Sequence, residues 1–306
     1  MSIGVPVYNG AQFAAKALDS LLAQTYADFE IVICDNASTD ETEAICRDYV
    51  RRDPRVRYHR NPANLGIARN YARVLELASG KYFKYAAHDD LCEPQFLERC
   101  VAILDHRPDV VLAYPKTMIL DEVSGLTTQY EESQDLQSPS ASERFRQLLN
   151  NLTLCNSIFG LTRTAVMRKT AGLPKYPGAD IVFMAELCLH GKFYLIPEYL
   201  FYRRFHPSAS SGIKDEKQLE LYLEPAVARR QRPALREWHH LFGHLRSSFR
   251  APVGTVERFR LLLFLCHMSY WRRRRLIEEL GEIVNRGWGR LSLLFRRGVS
   301  SGILQV

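Results

Sequence analysis

The sequence predicts an α/β fold built on a doubly wound, mostly parallel or mixed sheet, and three observations carry that expectation. Strand-like and helix-like stretches alternate over about the first 115 residues. Phe29-Glu30-Ile31-Val32-Ile33-Cys34 is a nearly continuous apolar run, as a parallel strand covered on both faces requires. Lys81-Tyr82-Phe83-Lys84-Tyr85-Ala86-Ala87-His88-Asp89-Asp90 is an aromatic-rich strand that runs into two adjacent carboxylates. Open α/β sheets bind ligands at the carboxyl ends of their strands, so the pair stands at a functional edge.

The elements follow in order. Val5-Pro6-Val7 opens as a strand and turns at Tyr8-Asn9-Gly10; Ala14, Ala17, Leu18, Leu21 and Leu22 then recur at the spacing of a helix packed on a sheet. After the second strand, Ser38 followed by Glu41 reads as a capping box for the next helix. Val56-Arg57-Tyr58-His59 is a short strand and residues 61–66 a turn cluster; Ile67, Tyr71, Val74, Leu75 and Ala78 mark a helix stopped by Gly80. Beyond the carboxylate pair, Pro94 stands near the first turn of a helix carrying Phe96, Leu97, Cys100, Val101 and Leu104. Residues 110–114 form another strand. Residues 120–140 are polar without a period, a functional loop or a hairpin. Further on come a helix at 142–150, a strand at 158–162, a loop at 172–178, a helix at 180–190 and two closing strands at 193–196 and 200–203.

At 306 residues, with 46% hydrophobic and 25% charged residues, the chain is an ordinary globular protein with room for a large domain and an appendage. Its net charge of +7 is uneven: residues 216–306 hold 17 Lys+Arg against 8 Asp+Glu, so the first 215 residues are slightly acidic. The expected organisation is therefore a main domain over 1–215, with halves 1–114 and 115–215, and a basic amphipathic helical region over 216–306. The seven cysteines lack metal-type spacing and read as buried free thiols in a reducing compartment. No leading segment has the pattern of a signal peptide, which sets a cytoplasmic expectation.

Four motifs in register, Gly4-Val5-Pro6-Val7-Tyr8-Asn9, Asp35-Asn36-Ala37-Ser38-Thr39-Asp40-Glu41-Thr42, Asn64-Leu65-Gly66 with Ala68-Arg69-Asn70, and His88-Asp89-Asp90, resemble family 2 glycosyltransferases of the GT-A fold over roughly residues 1–212. The resemblance implies a Rossmann-like sheet, a nucleotide-sugar donor and a divalent cation, Mg²⁺ or Mn²⁺. It places Asp35 at the nucleobase, where a carboxylate accepts from a base N–H or a ribose hydroxyl. Pro6, Tyr8 and Asn9 form the pocket floor, and Asn64 and Gly66 belong to the same donor set. Arg69 stands against base or phosphate, or is a solvated helix arginine. Asp89 holds ribose or sugar, and Asp90 binds the metal that bridges the phosphates. The family commonly has an acid where this chain has Ala87, and His88 precedes the pair, either as a ligand or substrate contact or as a hydrogen-bonded turn histidine.

An inverting transfer needs a general base on the acceptor hydroxyl. The resemblance puts it in Gly178-Ala179-Asp180, where the family's acidic pair is reduced to Asp180; a plain helix cap is the rival reading. Tyr202-Arg203-Arg204-Phe205-His206-Pro207-Ser208-Ala209-Ser210-Ser211 resembles the loop that closes over the donor diphosphate, with Arg203 and His206 as donors to phosphate or reaching the metal. The implied acceptor is a glycan or lipid-linked molecule of surface polysaccharide or glycolipid synthesis. In the tail, apolar and aromatic residues from Phe259 to Trp271 and from Leu276 to Phe295 alternate with arginines. They are too interrupted to span a bilayer and fit helices lying on an anionic membrane surface at its inner face, or a docked helical subdomain. No motif supports nucleic-acid binding, and no Gly-x-Gly-x-x-Gly supports a dinucleotide oxidoreductase. A catalytically silent nucleotide-sugar binder or membrane assembly partner is the alternative from another class.

Overall fold

The computed structural model describes residues 1–131, 133–209 and 235–300, with side chains described to residue 282. Its amino-terminal half alternates as the apolar periods require: β1 (Ser2–Val7), α1 (Ala14–Leu22), β2 (Glu30–Asp35), α2 (Thr42–Arg52), β3 (Val56–Arg60), α3 (Ile67–Leu77), β4 (Tyr82–Tyr85), β5 (Leu91–Cys92) and α4 (Phe96–His106). The second half holds β6 (Val110–Asp121), β7 (Thr127–Tyr130), α5 (Ala141–Asn151), β8 (Leu161–Arg163), α6 (Thr164–Met167), α7 (Ala179–His190) and β9 (Lys192–Phe205). Two further helices, α8 (Arg236–Arg250) and α9 (Thr255–Ser300), follow.

Among the described residues the strands form one sheet in the order β3-β2-β1-β4-β8-β6-β9-β5, with β7 paired to β6. The first four are parallel, from Ser2 opposite Glu30 to Val7 opposite Asp35. β8 then inserts antiparallel between β4 and β6, so the sheet is mixed. Helices cover both faces. One core joins Leu18, Leu21, Cys46, Phe96 and Leu97 to the sheet side carrying Ile3, Ile31 and Ile33. The other joins Val74, Phe145, Phe183 and Met184 to the side carrying Val32 and Phe83. Burial at both faces explains why the second strand is a continuous apolar run rather than an alternating one.

Three local expectations resolve differently, and the polar stretch takes the second of its two readings, the hairpin. The capping box at Ser38 and Glu41 does not form: the Ser38 hydroxyl donates to Asp35 Oδ1 at 2.5 Å, and Asp40 Oδ1 accepts instead from the Thr42 amide at 3.1 Å and hydroxyl at 2.5 Å. The polar stretch at 120–140 contains the β6–β7 hairpin, whose turn is held by Asp121 Oδ1 accepting from the amides of Val123 and Ser124. Residues 156–159 wind into a 3-10 turn before β8. The two closing strands are one strand, β9, whose register against β6 skips past Pro197 and Glu198, as a proline without an N–H dictates.

The carboxyl-terminal helices share the second core: Ala251, Leu261 and Leu265 are buried beside Phe145, Phe183 and Met184. No helix among the described residues is long and apolar enough to cross a membrane. Cys34, Cys46, Cys92, Cys100, Cys155 and Cys188 are buried free thiols, and Cys266 is exposed. Ser210 and Ser211 of the expected closing loop lie outside the described residues, and Trp288, Arg290, Leu291, Leu294, Phe295, Arg296 and Arg297 lie beyond the described side chains.

Candidate active site

The loops leaving β1, β2 and β4 converge, and hydrogen bonds tie them together. Asn9 Oδ1 accepts from the Thr39 amide at 2.8 Å, while the Asn9 amide donates to Ser38 Oγ at 2.9 Å. Asn36 donates to Asn64 Oδ1 at 2.7 Å and accepts from the Leu65 amide at 2.9 Å, which clips the turn before α3 onto the end of β2. Asn70 Nδ2 donates to the Cys34 carbonyl at 2.9 Å. Asn9 and Ala37 both have positive φ, 51° and 62°; Ala37 lacks the local side-chain compensation that lets asparagine adopt this conformation. Gly66, at φ 81°, accepts its own conformation freely.

Asp35 sits under this network, fully buried. Its Oδ1 accepts from the Ser38 amide and hydroxyl, and its Oδ2 from Tyr58 Oη at 2.6 Å and Arg60 Nη1 at 2.7 Å. Four donors, one of them the Arg60 guanidinium, satisfy this carboxyl group at zero exposure.

A cavity of about 360 Å³ opens at the strand ends. Of the expected site residues, Pro6, Tyr8, Asp89, Asp90, Asp180 and Arg203 line it. Asn9, Asp35, Asn64, Gly66, Arg69 and His206 do not. The first four support its floor through the contacts above, and Arg69 is exposed on α3. His206 stands directly behind the wall: its Nε2 lies 3.0 Å from Asp89 Oδ2, its Nδ1 2.8 Å from Ser208 Oγ, and its ring packs on Phe13. Arg203 donates to Asn156 Oδ1 at 2.7 Å.

The two carboxylates of the pair have different surroundings. Asp89 faces His206, and its backbone carbonyl accepts from Arg204 Nε at 2.7 Å. Asp90 Oδ1 accepts from the Arg204 amide at 2.8 Å. Burial, with the Asp89 charge beside it, holds the Asp90 carboxyl well above the usual carboxylate range. His88 lines the cavity and packs so closely on Gly10 that a Cβ there would sit 2.5 Å from its ring. Burial lowers its pKa against the opposing pull of Asp89. Asp180 occupies the first turn of α7, whose cap position is Gly178 in the left-handed region, so it is not the helix cap.

Several lining or supporting residues escape sequence reasoning. Lys84 is fully buried in β4, donates from Nζ to the carbonyls of Phe159 and Tyr85, and lies 4.3 Å from the Phe96 ring centroid. Its charge is among those that oppose the upward shift of the Asp90 carboxyl; a lysine inside an aromatic strand was the available signal. Arg204 pairs with Glu122 and stacks on Phe13. Tyr71, Lys175 and Tyr176 join the lining from distant segments.

Among the described residues no three His, Cys, Asp or Glu side chains cluster as a closed metal site. What is present is a buried carboxylate, Asp90, with a second acid beside it and one oxygen occupied by the Arg204 amide. That set suits a hard divalent cation that takes one or two carboxylates and completes its shell with substrate phosphates and water.

A mixed α/β sheet, parallel in its first half and carrying an acidic pair at its strand ends, is the architecture of the GT-A fold. The sequence model of glycosyl transferase family 2 matches residues 2–171, and the chain belongs to that family. An uncharacterized glycosyltransferase of Haemophilus influenzae is 25% identical over 230 residues, covering 72% of this chain and 70% of that protein. One from Rickettsia bellii is 41% identical over 108 residues, 34% of this chain. The chain spans only 15% and 38% of the lengths of the Rickettsia bellii and Rickettsia typhi relatives. Among solved structures, S. aureus TarS in complex with UDP-GlcNAc superposes with a TM-score of 0.65 at 15% identity, covering 92% of this chain and 79% of that one. A mannosyltransferase from Pyrobaculum calidifontis in complex with GDP-Man and Mn²⁺ gives 0.50 at 15% identity, covering 91% and 83%. These likenesses establish the fold.

Proposed function

We propose that the protein is an inverting, metal-dependent glycosyltransferase that moves a sugar from a uridine-diphosphate donor to a glycan or lipid-linked acceptor in surface polysaccharide or glycolipid synthesis. The observation that carries this reading is the meeting of Asp89, Asp90 and Asp180 with Tyr8 and Arg203 around one cavity. The UDP and UDP-GlcNAc held by TarS support the donor class. The Mn²⁺ of the mannosyltransferase supports the cation.

In this reading Tyr8 and Pro6 pack against the nucleoside, over the floor that Asn9, Asp35, Asn64 and Gly66 brace. Asp89 holds ribose or sugar hydroxyls. Asp90 would hold Mg²⁺ or Mn²⁺, which when bound supplies Lewis-acid stabilisation of the departing diphosphate. Arg203 and His206 donate to phosphate oxygens; this requires Arg203 to exchange Asn156 and His206 to exchange Asp89 for the donor. Asp180 takes the proton of the acceptor hydroxyl as its oxygen bonds to the anomeric carbon. The bond from that carbon to the diphosphate breaks, its electron pair leaving on UDP.

Asp180→Asn should spare UDP binding while lowering transfer by at least about 10²-fold. Asp90→Asn should weaken Mn²⁺-dependent UDP binding. Normal turnover by both variants would remove these assignments. The alanines at positions 87 and 179, where the family commonly has acids, favour one rival: a silent sugar-nucleotide binder, which would bind UDP-sugars without releasing UDP.

The exposed face of α9 carries Phe259, Tyr270, Trp271 and Ile277 beside Arg273, Arg274 and Arg275. Apolar side chains flanked by arginines support peripheral attachment to an anionic membrane surface.

A further inference from the structure

Residues 173–176 and Gly178 line the cavity from a loop with little regular structure of its own that leads into Asp180 of α7, and something must hold it. Two anchors do. At its start, the Ala171 amide donates to Glu186 Oε2 at 3.3 Å, and Glu186, buried in α7, is clamped by Arg250 of α8 at 2.8 and 2.9 Å and by Ser247 at 3.2 Å. At its end, His240 Nε2 of α8 lies 3.0 Å from the Pro177 carbonyl. Between them, the Tyr176 ring stacks on His239 with centroids 4.9 Å apart and planes 12° from parallel.

The fit is close enough to dictate residue types on both sides. A Cβ on Gly178 would lie 2.6 Å from His240 Nε2, and Gly178 also has φ +75°. A Cβ on Gly243 of α8 would lie 2.6 Å from Tyr176 Oη and 2.7 Å from Val182 Cγ1. His240 is 5% exposed, and its pKa is lowered by burial, which keeps the ring neutral. A neutral imidazole facing a carbonyl must carry its proton on Nε2 and donate it.

We propose that His240 is a positioning residue for the transfer step: by donating to the Pro177 carbonyl it fixes the turn at Gly178 and thereby the first turn of α7, which presents Asp180 to the acceptor. The carboxyl-terminal hairpin thus forms the backing of the acceptor wall. The inference rests on reading Asp180 as the base. It goes beyond that reading in giving α8, which lies outside the segment matched by the family model, a role in the reaction. A misplacement of about 1 Å at a reacting group costs roughly 10²-fold in rate, so a loop anchor at Pro177, three residues from the base, acts on kcat.

The test compares His240→Phe, which keeps the ring volume and loses the donor, with His240→Gln, which restores an N–H at similar reach. His239→Ala, at an exposed position, removes the stack without threatening the fold. Three readouts are taken on the full chain: hydrogen exchange of amides 172–181, UDP binding with Mn²⁺, and UDP release from whichever UDP-sugar the wild type turns over with water as acceptor. His240→Phe should speed exchange across the loop, leave UDP affinity unchanged, and lower kcat roughly tenfold to a hundredfold with the donor KM held. His240→Gln should recover most of both effects, and His239→Ala should shift them in the same direction by less. Unchanged loop exchange in His240→Phe overturns the proposal whatever the enzyme does. So does a loss of UDP binding in parallel with kcat. A wild type that releases no UDP from any donor defeats the transferase reading instead, and the exchange experiment still decides the clamp.

Discussion

Asp89 and Asp90 differ in surroundings although they are adjacent. One faces a histidine; the other is buried against a backbone amide. Their positions were legible because adjacent acids after an aromatic strand are a local pattern. Lys84 and Arg204 were not, because what they touch is decided by chain far away: Lys84 by the 3-10 turn at 156–159, Arg204 by Glu122 and Phe13. Asp35 was legible as a motif residue, but two of the four donors that its carboxylate accepts from, Tyr58 and Arg60, come from the neighbouring strand. Another buried titratable group gives a stability prediction. Burial pushes His244 down to about 3, and its Nδ1 has no partner among the described residues. In the unfolded chain an ordinary histidine binds a proton near pH 6.5, which the fold refuses. The stability present above pH 6.5 is therefore lost as pH falls towards 3, by at most about 1.4 kcal/mol per pH unit for one proton. His240, also lowered, adds the same sign. Urea unfolding of His244→Phe should show a flatter profile between pH 7 and 5 than the wild type, and parallel profiles would contradict this.

At the scale of elements, the parallel strands and their helices were readable from apolar spacing, since each is amphipathic or wholly apolar in its own sequence. Junctions were less so. β9 was divided at Pro197 because a proline reads as a break, whereas the sheet accommodates it as an irregularity in register with β6. The capping box at Ser38 failed because Asp35, three residues earlier, claims that hydroxyl. The α7–α8 contact offers an element-scale test. Arg250→Ala leaves the Glu186 carboxylate buried without its cation, and Glu186→Gln does not. The arginine variant should lose on the order of 2 kcal/mol, below the roughly 3–5 of a fully buried pair because Arg250 is 39% exposed, and the glutamine variant clearly less. Equal losses in chemical denaturation would show that the charge is not what matters.

For the whole molecule, the basic tail seen in composition becomes a helical hairpin with two faces. The inner face, with Leu261 and Leu265, shares the catalytic core; the outer one leaves Trp271 69% exposed among arginines. Sequence periodicity showed both faces but could not say which one packs, because that depends on α5 and α7. Flotation with phosphatidylglycerol vesicles should recruit the full chain, and Trp271→Ala combined with Arg274→Glu should release it; recruitment that survives the double variant would rule this face out. The proposed function stands on the cavity being a donor site. Calorimetric titration of UDP, GDP and ADP, each with and without Mn²⁺, tests that most directly. The account predicts that UDP binds, that Mn²⁺ strengthens the binding, and that ADP does not compete. Heat from none of the three in either condition would contradict it.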